Sequence, residues 1–414
     1  MVKHDIVIIG GGPAGMAAAV AAYDRGVTDV VILERDSHLG GILQQCIHNG
    51  FGLHKLGREL TGPEYAAEFE EMVEKRGIQV YYETMVTGLS SDRVVTAQNR
   101  SGILKIQAKA VILAMGCRER SRGALNICGT RPAGIYSAGT AQKLINCHGL
   151  LVGKKVVILG SGDIGLIMAR RMSLEGAKVE AVCELMPYSG GLTRNIVQCL
   201  EDFNIPLYLS TTVAQIHGSN RLEGVTVAQV DENRQILPET RRYIPCDTLL
   251  LSVGLIPENE LTRCAGIPMD NITGGALVDD GCQTAIAGIF ACGNVLHVHD
   301  LVDYVSEEAE RAGISAAEFV LSGDETSIYA TTAAGSGVRY VLPQRIHTDR
   351  DCALFLRVSE PKNNVRLVVS SDGKALATFK RRKVAPGEME KLPLKAALLS
   401  AAGDTITVTL EDCK

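Results

Sequence analysis

Short apolar runs alternate with helical stretches along most of this chain, and one order of elements occurs twice. Strands are predicted over 5–9 and 30–33, and the alanine-rich segment from Pro13 to Arg25 between them is predicted as a helix. The same order of strand, helix and strand returns over 155–159, 163–175 and 178–184. Strand, helix and strand in succession predict a parallel sheet with a crossover helix. The fold class is therefore α/β, with two Rossmann-like three-layer units.

Each unit is predicted to continue with a second helix, an alternating meander and a buried strand. The ranges are 61–77, 78–108 and 110–116 in the first unit, and 193–203, 205–245 and 247–254 in the second. A further helix from about Leu301 to Leu321 follows. The repeated order indicates a duplicated architecture rather than a close sequence repeat.

The chain changes character after Asp324, where short β-like runs and polar turns replace the helices. These runs occupy 338–342, 354–358, 365–369 and 405–410. We predict a discontinuous first domain over 1–118 and 248–324, an inserted second domain over 119–247, and a small β-rich C-terminal domain over 325–414. The basic run 380–383 is interpreted as a solvated loop or strand end.

A glycine-rich turn follows the first strand of each unit. The glycines are Gly10, Gly12 and Gly15 in the first turn, and Gly160, Gly162 and Gly165 in the second. An acidic residue, Glu34 or Glu184, ends the next strand, 24 positions after the first glycine in both units. Such a turn lets backbone N–H groups and a helix N-terminus hold a pyrophosphate, and the carboxylate can accept ribose hydroxyls. One glycine-rich turn is often only a turn, but two complete copies predict two dinucleotides and electron transfer between them.

Composition narrows the function classes. The 414 residues are 46% hydrophobic and 21% charged, which is typical of a globular protein. The net charge of −5 argues against binding to nucleic acid or to an anionic membrane surface. No apolar run approaches the roughly 20 residues that span a bilayer. The first strand begins within five residues of the N-terminus, which leaves no room for a signal peptide, so we expect a cytoplasmic protein.

The twelve cysteines are dispersed, and no two of them form Cys-x-x-Cys or Cys-x-x-x-x-Cys. This spacing argues against a thioredoxin-type dithiol, and against an iron–sulfur cluster or structural zinc within the chain. We expect most of the cysteines to be reduced core residues.

Three further motifs complete a resemblance to the pyridine nucleotide–disulfide oxidoreductase superfamily, without its redox disulfide. They are Ala114-Met-Gly116, Gly254-Leu-Ile-Pro-Glu-Asn259 and Phe290-Ala-Cys-Gly-Asn294. The resemblance implies that the first glycine-rich turn holds FAD and that the second one, in the inserted domain, holds NAD(H). Met115 replaces the threonine that this superfamily usually carries, and Asn294 replaces an acidic residue, so the contact at position 294 contributes no charge.

The resemblance also assigns binding residues. For FAD they are Gly10, Gly12, Pro13, Ala14, Gly15, Glu34, Arg35, Gly41, Val86, Ala114, Gly116, Gly293 and Asn294. For NAD(H) they are Gly160, Gly162, Asp163, Ile164, Gly165, Glu184 and Gly254.

Within the superfamily, residues 1–323 resemble a narrower group on four segments: 40–52, 118–120, 134–142 and 297–300. This group contains flavoprotein subunits of amine- and opine-oxidising dehydrogenases, such as sarcosine oxidase alpha chains and opine oxidase subunits. Within it, the sequence most resembles the flavoprotein encoded beside bacterial glycerol-3-phosphate dehydrogenases or oxidases. The resemblance implies a homo- or hetero-oligomer with a partner dehydrogenase subunit. Opine-type relatives often carry cluster-binding cysteines near the C-terminus. This chain does not, so any iron–sulfur cluster would belong to a separate partner protein.

Glu184 is expected to select NADH, because a 2′-phosphate beside this carboxylate would meet a like charge. The alternative is that Glu184 is only solvated. The next arginine, Arg194, follows ten residues later and is a doubtful partner for such a phosphate.

Cys46, His297 and His299 are the candidate catalytic residues. Cys46 could form a sulfenate, as in NADH peroxidase-like enzymes, but we favour a packed thiol because no resolving cysteine is near in sequence. The two histidines, with Asp300, could bind a metal. We expect instead that they line the flavin pocket, cap the next helix or act as acid–base groups, and we predict no metal site. The arginines near the end of the first domain could receive an anionic substrate or a partner, or could form paired charges; they are Arg118, Arg120, Arg122 and Arg131.

These observations predict an FAD-dependent, NADH-linked oxidoreductase in a glycerol-3-phosphate or amine/opine dehydrogenase system. Two alternatives stay open. One is a stand-alone NADH oxidase or peroxidase that uses Cys46. The other is a nucleotide-binding module whose reduced state regulates assembly.

Overall fold

A computed structural model describes residues 1–323 and 329–413 of the chain. It divides into two compact units, Met1–Cys117 with Pro257–Lys414, and Arg118–Ile256. The predicted boundary between 324 and 325 lies outside the described residues.

The first unit begins with a sheet and two helices. The strands are β1 (Val2–Ile9), β2 (Val30–Leu33), β3 (Asn49–Phe51), β4 (Leu60–Thr61), β5 (Gln79–Tyr81), β6 (Met85–Leu89), β7 (Val94–Asn99) and β8 (Gly102–Leu113). The helices are α1 (Pro13–Asp24) and α2 (Gly62–Lys75). The sheet has the order β5-β2-β1-β8-β7-β6. Strand β5 runs parallel to β2, so the predicted meander over 78–108 is corrected to the antiparallel strands β6, β7 and β8.

The second unit follows, with β9 (Cys117–Glu119) at its start. Its strands are β10 (Cys128–Gly129), β11 (Ile135–Ser137), β12 (Lys155–Leu159), β13 (Lys178–Cys183), β14 (Leu207–Tyr208), β15 (Thr211–Gly218), β16 (Leu222–Gln229), β17 (Arg242–Pro245), β18 (Thr248–Leu251) and β19 (Leu255–Pro257). Its helices are α3 (Ala138–His148), α4 (Asp163–Leu174) and α5 (Thr193–Cys199).

A parallel sheet of order β11-β18-β12-β13-β14 carries the second glycine-rich turn, and a smaller sheet of order β10-β15-β16-β17 accompanies it. Strand β18 pairs with β12 and β11. The predicted boundary at 247/248 is therefore wrong, because the apolar run 248–251 completes the sheet of the second unit. A buried strand of either sheet has the same apolar composition, so composition alone did not assign it.

The chain then returns to the first unit with α6 (Glu260–Cys264), β20 (Ile289–Ala291) and α7 (Val302–Ser322). Strand β20 adds to the first sheet beside β8. Helix α7 packs closely on α1, because a Cβ at Gly313 would lie 2.3 Å from the carbonyl oxygen of Ala18. Small residues on both helices thus place the N-terminus of α7 near that of α1.

The C-terminal part is a β structure with its own apolar core. Its elements are β21 (Tyr329–Ala334), β22 (Val338–Leu342), β23 (Arg345–His347), β24 (Cys352–Val358), β25 (Lys362–Ser371), β26 (Lys374–Val384), β27 (Glu390–Leu394), α8 (Ala396–Leu399) and β28 (Thr405–Asp412). They form one sheet of order β23-β21-β28-β25-β26 and another of order β22-β24-β27. The basic run 380–383 lies near the C-terminal end of β26, a strand at the edge of its sheet, and is mostly exposed, so of the two expected places it takes the strand end and not the loop.

Two further expectations concern burial. Five of the twelve cysteines are buried: Cys183, Cys199, Cys246, Cys282 and Cys292. The prediction that most cysteines are core residues is therefore wrong. No helix in the described part of the chain is long and apolar enough to cross a membrane.

Candidate dinucleotide sites

The first glycine-rich turn joins β1 to α1, and packing requires glycine at two of its three glycine positions. Gly10 has a φ of +105°, and a Cβ there would lie 2.5 Å from the carbonyl oxygen of Ala114. A Cβ at Gly15 would lie 1.8 Å from the Gly10 carbonyl oxygen, so only glycine lets the helix approach the strand. Gly12 is different, because a Cβ there meets no described atom within 4 Å. The turn therefore leaves open space at the N-terminus of α1, where N–H groups can hold an anion.

The second turn, between β12 and α4, repeats these relations. A Cβ at Gly160, where φ is +99°, would lie 2.0 Å from the Ser252 carbonyl oxygen. A Cβ at Gly165 would lie 2.6 Å from the Gly160 carbonyl oxygen. At Gly162 the nearest atom is the Ser252 hydroxyl oxygen, 3.8 Å away. Both turns thus have a glycine at the helix start that the fold itself does not need for space.

The two acidic residues are held in the same way. Glu34, which is 5% exposed, accepts the Gly11 N–H on Oε2 (2.6 Å) and the Asp36 N–H on Oε1 (2.8 Å). Glu184 accepts the Ser161 N–H on Oε2 (2.8 Å) and the Met186 N–H on Oε1 (2.9 Å). Each carboxylate is therefore fixed beside its glycine-rich turn, in position to accept ribose hydroxyls.

Several other residues predicted for FAD converge on the first turn. A Cβ at Gly41 would lie 3.2 Å from Gly12 Cα, and one at Gly293 would lie 2.8 Å from Ala14 Cβ. Pro13 occupies the first turn of α1. Gly116 has a φ of +73°, and a Cβ there would have open space around it. The structure thus gathers segments from β8, from the region of Gly41 and from the end of β20 around the N-terminus of α1.

Four predicted cofactor residues have other surroundings. Val86 lies in β6 with its side chain buried in the hydrophobic core, and the side chain of Arg35 is exposed. Asp163 accepts the Leu192 N–H (2.9 Å) and the Asn195 amide (2.6 Å), so it fixes the chain after β13. Ile164 packs at the edge of the core of the second unit. Their contacts with a dinucleotide stay predictions.

Sequence reasoning missed Ser161. Its side chain is fully buried, and its hydroxyl donates to Glu184 Oε2 at 2.7 Å. The signal was its position directly after Gly160, where Gly11 stands in the first unit. The hydroxyl gives Glu184 one more donor than Glu34 receives from its turn.

The segment after Gly40 carries Cys46 and is fixed to the start of α7. Buried Asp303 accepts the Lys55 N–H on Oδ1 (2.7 Å) and the Gly52 N–H on Oδ2 (3.3 Å). The Cys46 thiol donates to the carbonyl oxygen of Ile42 (3.3 Å), and its own carbonyl oxygen accepts the Gly62 N–H (2.8 Å). The Cys46 side chain is half-buried, and the choice between a packed thiol and one that forms a sulfenate stays a prediction.

The motif 290–294 is followed by a buried cluster of side chains, of which the sequence indicated only the two histidines. The rings of His297 and His299 lie 4.2 Å apart, centroid to centroid. Glu308 of α7 joins them: its Oε2 is 2.9 Å from His297 Nε2 and 3.6 Å from His299 Nε2. His297 is 1% exposed and Glu308 is 3% exposed.

Burial and charge set the protonation of this cluster. Desolvation, and then the neighbouring His299, lower the pKa of His297 to about 4, so its ring is neutral at pH 7. Burial by itself would raise the pKa of Glu308, but the two histidines overcome it and hold that pKa well below its usual range. Glu308 is therefore a buried carboxylate whose charge must be balanced locally.

Asn294 connects this cluster to the end of β8. Its Oδ1 accepts the His299 N–H at 3.0 Å, and its Nδ2 lies 3.6 Å from the Cys117 sulfur. Sequence reasoning did not single out Cys117, although it directly follows Gly116. Both side-chain contacts described for Asn294 are with the protein, and its contact with FAD stays a prediction.

The four arginines predicted to receive an anion or a partner differ in their surroundings. Arg118, Arg120 and Arg131 are exposed, and Arg122 donates to the Thr130 carbonyl oxygen at 2.5 Å. Their role as a surface for an anion or a partner stays a prediction.

Known proteins share the motifs and the fold of this chain. A family model described as pyridine nucleotide-disulphide oxidoreductase matches residues 4–317. Hydrogen cyanide synthase subunit HcnB of Pseudomonas protegens is 27% identical over 320 residues, which is 71% of this chain and 64% of HcnB. An opine oxidase subunit of Agrobacterium tumefaciens is 23% identical (70% of this chain, 61% of the relative), and an alkyl hydroperoxide reductase subunit of Pseudomonas aeruginosa is 27% identical (77% and 58%). The chain thus spans about six tenths of the length of these relatives.

Solved structures show the same fold. The T. acidophilum thioredoxin reductase has a TM-score of 0.64 and 24% identity, covering 78% of this chain and all of the reductase chain. The Lactococcus lactis thioredoxin reductase has a TM-score of 0.62 and 21% identity, covering 77% of this chain and 99% of the other. At these identities the match concerns the fold.

Proposed function

The chain belongs to the pyridine nucleotide-disulphide oxidoreductase family, whose enzymes use FAD and NAD(P)H, and we propose that this member passes hydride between NADH and FAD. The observation that carries the proposal is the duplicated site. Two strand–turn–helix units each leave space at a helix N-terminus and fix a carboxylate beside it, at Glu34 and Glu184.

The residues fit two different dinucleotide roles. Around the first turn, Gly41, Ala114 and Gly293 come close enough to enclose a large cofactor, so we assign FAD there. The second turn would hold the nicotinamide nucleotide. When bound, the two cofactors supply the hydride chemistry, and the protein binds and orients them.

Glu184 supports NADH as the donor. The carboxylate is fixed by two backbone N–H groups, so it cannot turn away from a 2′-phosphate without losing both hydrogen bonds. Arg194, which follows the turn, is exposed.

Anaerobic mixing tests this function. We expect NADH to bleach the flavin absorption at about 450 nm within seconds. NADPH should bleach it at least about tenfold more slowly. Equal rates would contradict the role of Glu184. No bleaching by either nucleotide would overturn the proposed function. Slow reduction with a long-lived charge-transfer band would favour the regulatory nucleotide-binding module.

We further propose that the chain works as a flavoprotein subunit that passes electrons to or from a partner. HcnB and the opine oxidase relative support this proposal, because both are named as subunits. An amine- or opine-type system therefore has support among the relatives described. The glycerol-3-phosphate system, the separate iron–sulfur partner and the cytoplasmic location stay predictions.

A stand-alone NADH peroxidase is the second candidate, and Cys46 is its test. A Cys46→Ser variant is expected to keep at least about half of the NADH-dependent turnover with peroxide or an artificial acceptor, since the thiol donates to a backbone carbonyl. The measurement is steady-state NADH consumption with peroxide, with Cys352→Ser as the matched control. Loss of peroxide turnover in Cys46→Ser alone would favour the peroxidase.

A further inference from the structure

The cluster of His297, His299 and Glu308 turns two imidazole nitrogens and one carboxylate oxygen toward a common buried point. The His299 backbone N–H donates to Asn294 Oδ1 at 3.0 Å, which fixes that oxygen toward His299. The same oxygen lies 3.3 Å from His299 Nδ1. An amide oxygen only accepts hydrogen bonds, so Nδ1 carries the proton. In a neutral ring, His299 Nε2 is then left with a lone pair.

That lone pair faces a carboxylate. His299 Nε2 is buried, has no hydrogen-bond partner in the described part of the chain, and lies 3.6 Å from Glu308 Oε2. A lone pair and a buried carboxylate oxygen repel each other unless a positive charge lies between them. The other atom of this centre, His297 Nε2, lies 2.9 Å from the same oxygen.

Each of the three side chains is also held from behind. Glu308 Oε1 accepts the Gly293 N–H at 2.8 Å, and His297 Nδ1 lies 3.4 Å from the hydroxyl of Tyr340 on β22. With Asn294 behind His299, every polar atom that does not face the centre has a partner. Outer contacts of this kind orient the ligands of metal sites.

We propose that His297, His299 and Glu308 bind a first-row divalent metal ion of the Zn²⁺ type, in addition to the two dinucleotides. Their ligand atoms lie within 4.8 Å of one another. Tetrahedral zinc with bonds of about 2.0–2.1 Å places neighbouring ligand atoms about 3.4 Å apart, and Glu308 Oε2 lies 2.9 Å from His297 Nε2 and 3.6 Å from His299 Nε2, both within about half an ångström of that value. Two imidazoles and one carboxylate are ligands that such ions favour.

This site revises the expectation that the chain has no metal site. The His-x-His pair alone was a weak signal, and the structure adds Glu308, a third ligand eleven residues away on α7. A bound ion would connect the segment that follows the motif 290–294 to α7. Through the contact of His297 with Tyr340, it would also connect this segment to the C-terminal β structure.

Metal content of the flavin-loaded protein tests the proposal. The protein is produced without a histidine tag in Zn²⁺-supplemented medium, equilibrated with Zn²⁺, and freed of loose metal by gel filtration. We expect wild type to hold about one Zn²⁺ per chain more than Glu308→Gln or His299→Gln, by elemental analysis. The comparison is a difference because cysteines can bind zinc in every variant. Zn²⁺ is also expected to raise the melting temperature of wild type but not that of Glu308→Gln or His299→Gln.

His347→Gln is the matched control. His347 is also buried and contacts a carboxylate, Asp280, but the Arg350 guanidinium lies against that pair, where it excludes a cation. This variant should keep the zinc content of wild type. Equal zinc in wild type, Glu308→Gln and His299→Gln would overturn the proposal, and would mean that a proton on His299 balances Glu308. If Glu308→Gln does not fold, His299→Gln decides. Neither result bears on the proposed binding of FAD and NADH, which the bleaching experiment tests separately.

Discussion

Gly12→Ala is expected to lose FAD while the protein still folds. At Gly12, φ is −76° and a Cβ meets no described atom within 4 Å, so the backbone and the packing accept alanine. The added methyl group projects into the space at the N-terminus of α1. Overfilling a close-packed site costs about 1–3 kcal/mol, which is roughly a five- to 150-fold loss of FAD affinity. The measurement is FAD fluorescence quenching on deflavinated protein.

Gly162→Ala is the matched variant in the second unit. Its φ is −67° and its nearest neighbour is 3.8 Å away, so it too should fold. We expect this protein to keep its flavin and its visible spectrum, but to need about five- to 150-fold more NADH for the same rate of bleaching. Loss of FAD from Gly162→Ala, or normal FAD affinity in Gly12→Ala, would contradict the assignment of the two turns.

Glu184→Gln is expected to reduce the preference for NADH over NADPH by at least about tenfold. Two unit charges 4 Å apart at an effective dielectric constant near 20 repel by about 4 kcal/mol, and a third of that energy accounts for a factor of ten. Glutamine keeps the size of the side chain but removes its charge. The measurement is the ratio of kcat/KM for the two nucleotides.

Glu34→Gln serves as the control, because Glu34 has the same two backbone donors in the first unit. It should weaken FAD retention without changing the ratio of NADH to NADPH. An unchanged ratio in Glu184→Gln would show that the carboxylate is merely solvated, as the alternative interpretation holds.

The fold class was predictable from the sequence, and the family and structural comparisons confirm it. The spacing of glycines and acids placed Glu34 and Glu184 correctly beside their turns, because strand, turn and next strand form one local unit. The end of the second unit was not predictable in the same way. Residues 248–251 are apolar enough for either sheet, and only their pairing with β12 assigns them.

The candidate sites were predictable to different degrees. The place of Asp163 after Gly162 predicted a cofactor residue but not its hydrogen bond to the Leu192 N–H, which comes from 29 residues later. The C-terminal strands β21 (YATTAA) and β27 (EKLPL) were missed because neither contains a continuous run of large apolar residues. Long-range contacts explain the rest: Asp303 holds the backbone of Gly52 and Lys55, which lie about 250 residues earlier.

The sequence by itself determined the two strand–turn–helix sites, because two glycines of each turn are required where the helix packs against its strand, and this requirement is local. Only the tertiary structure decided the cluster of His297, His299 and Glu308. Its geometry depends on α7 packing against α1 through Gly313, and on Tyr340 arriving from β22. Side chains from separate elements meet only when their elements pack, and no local pattern encodes that distance.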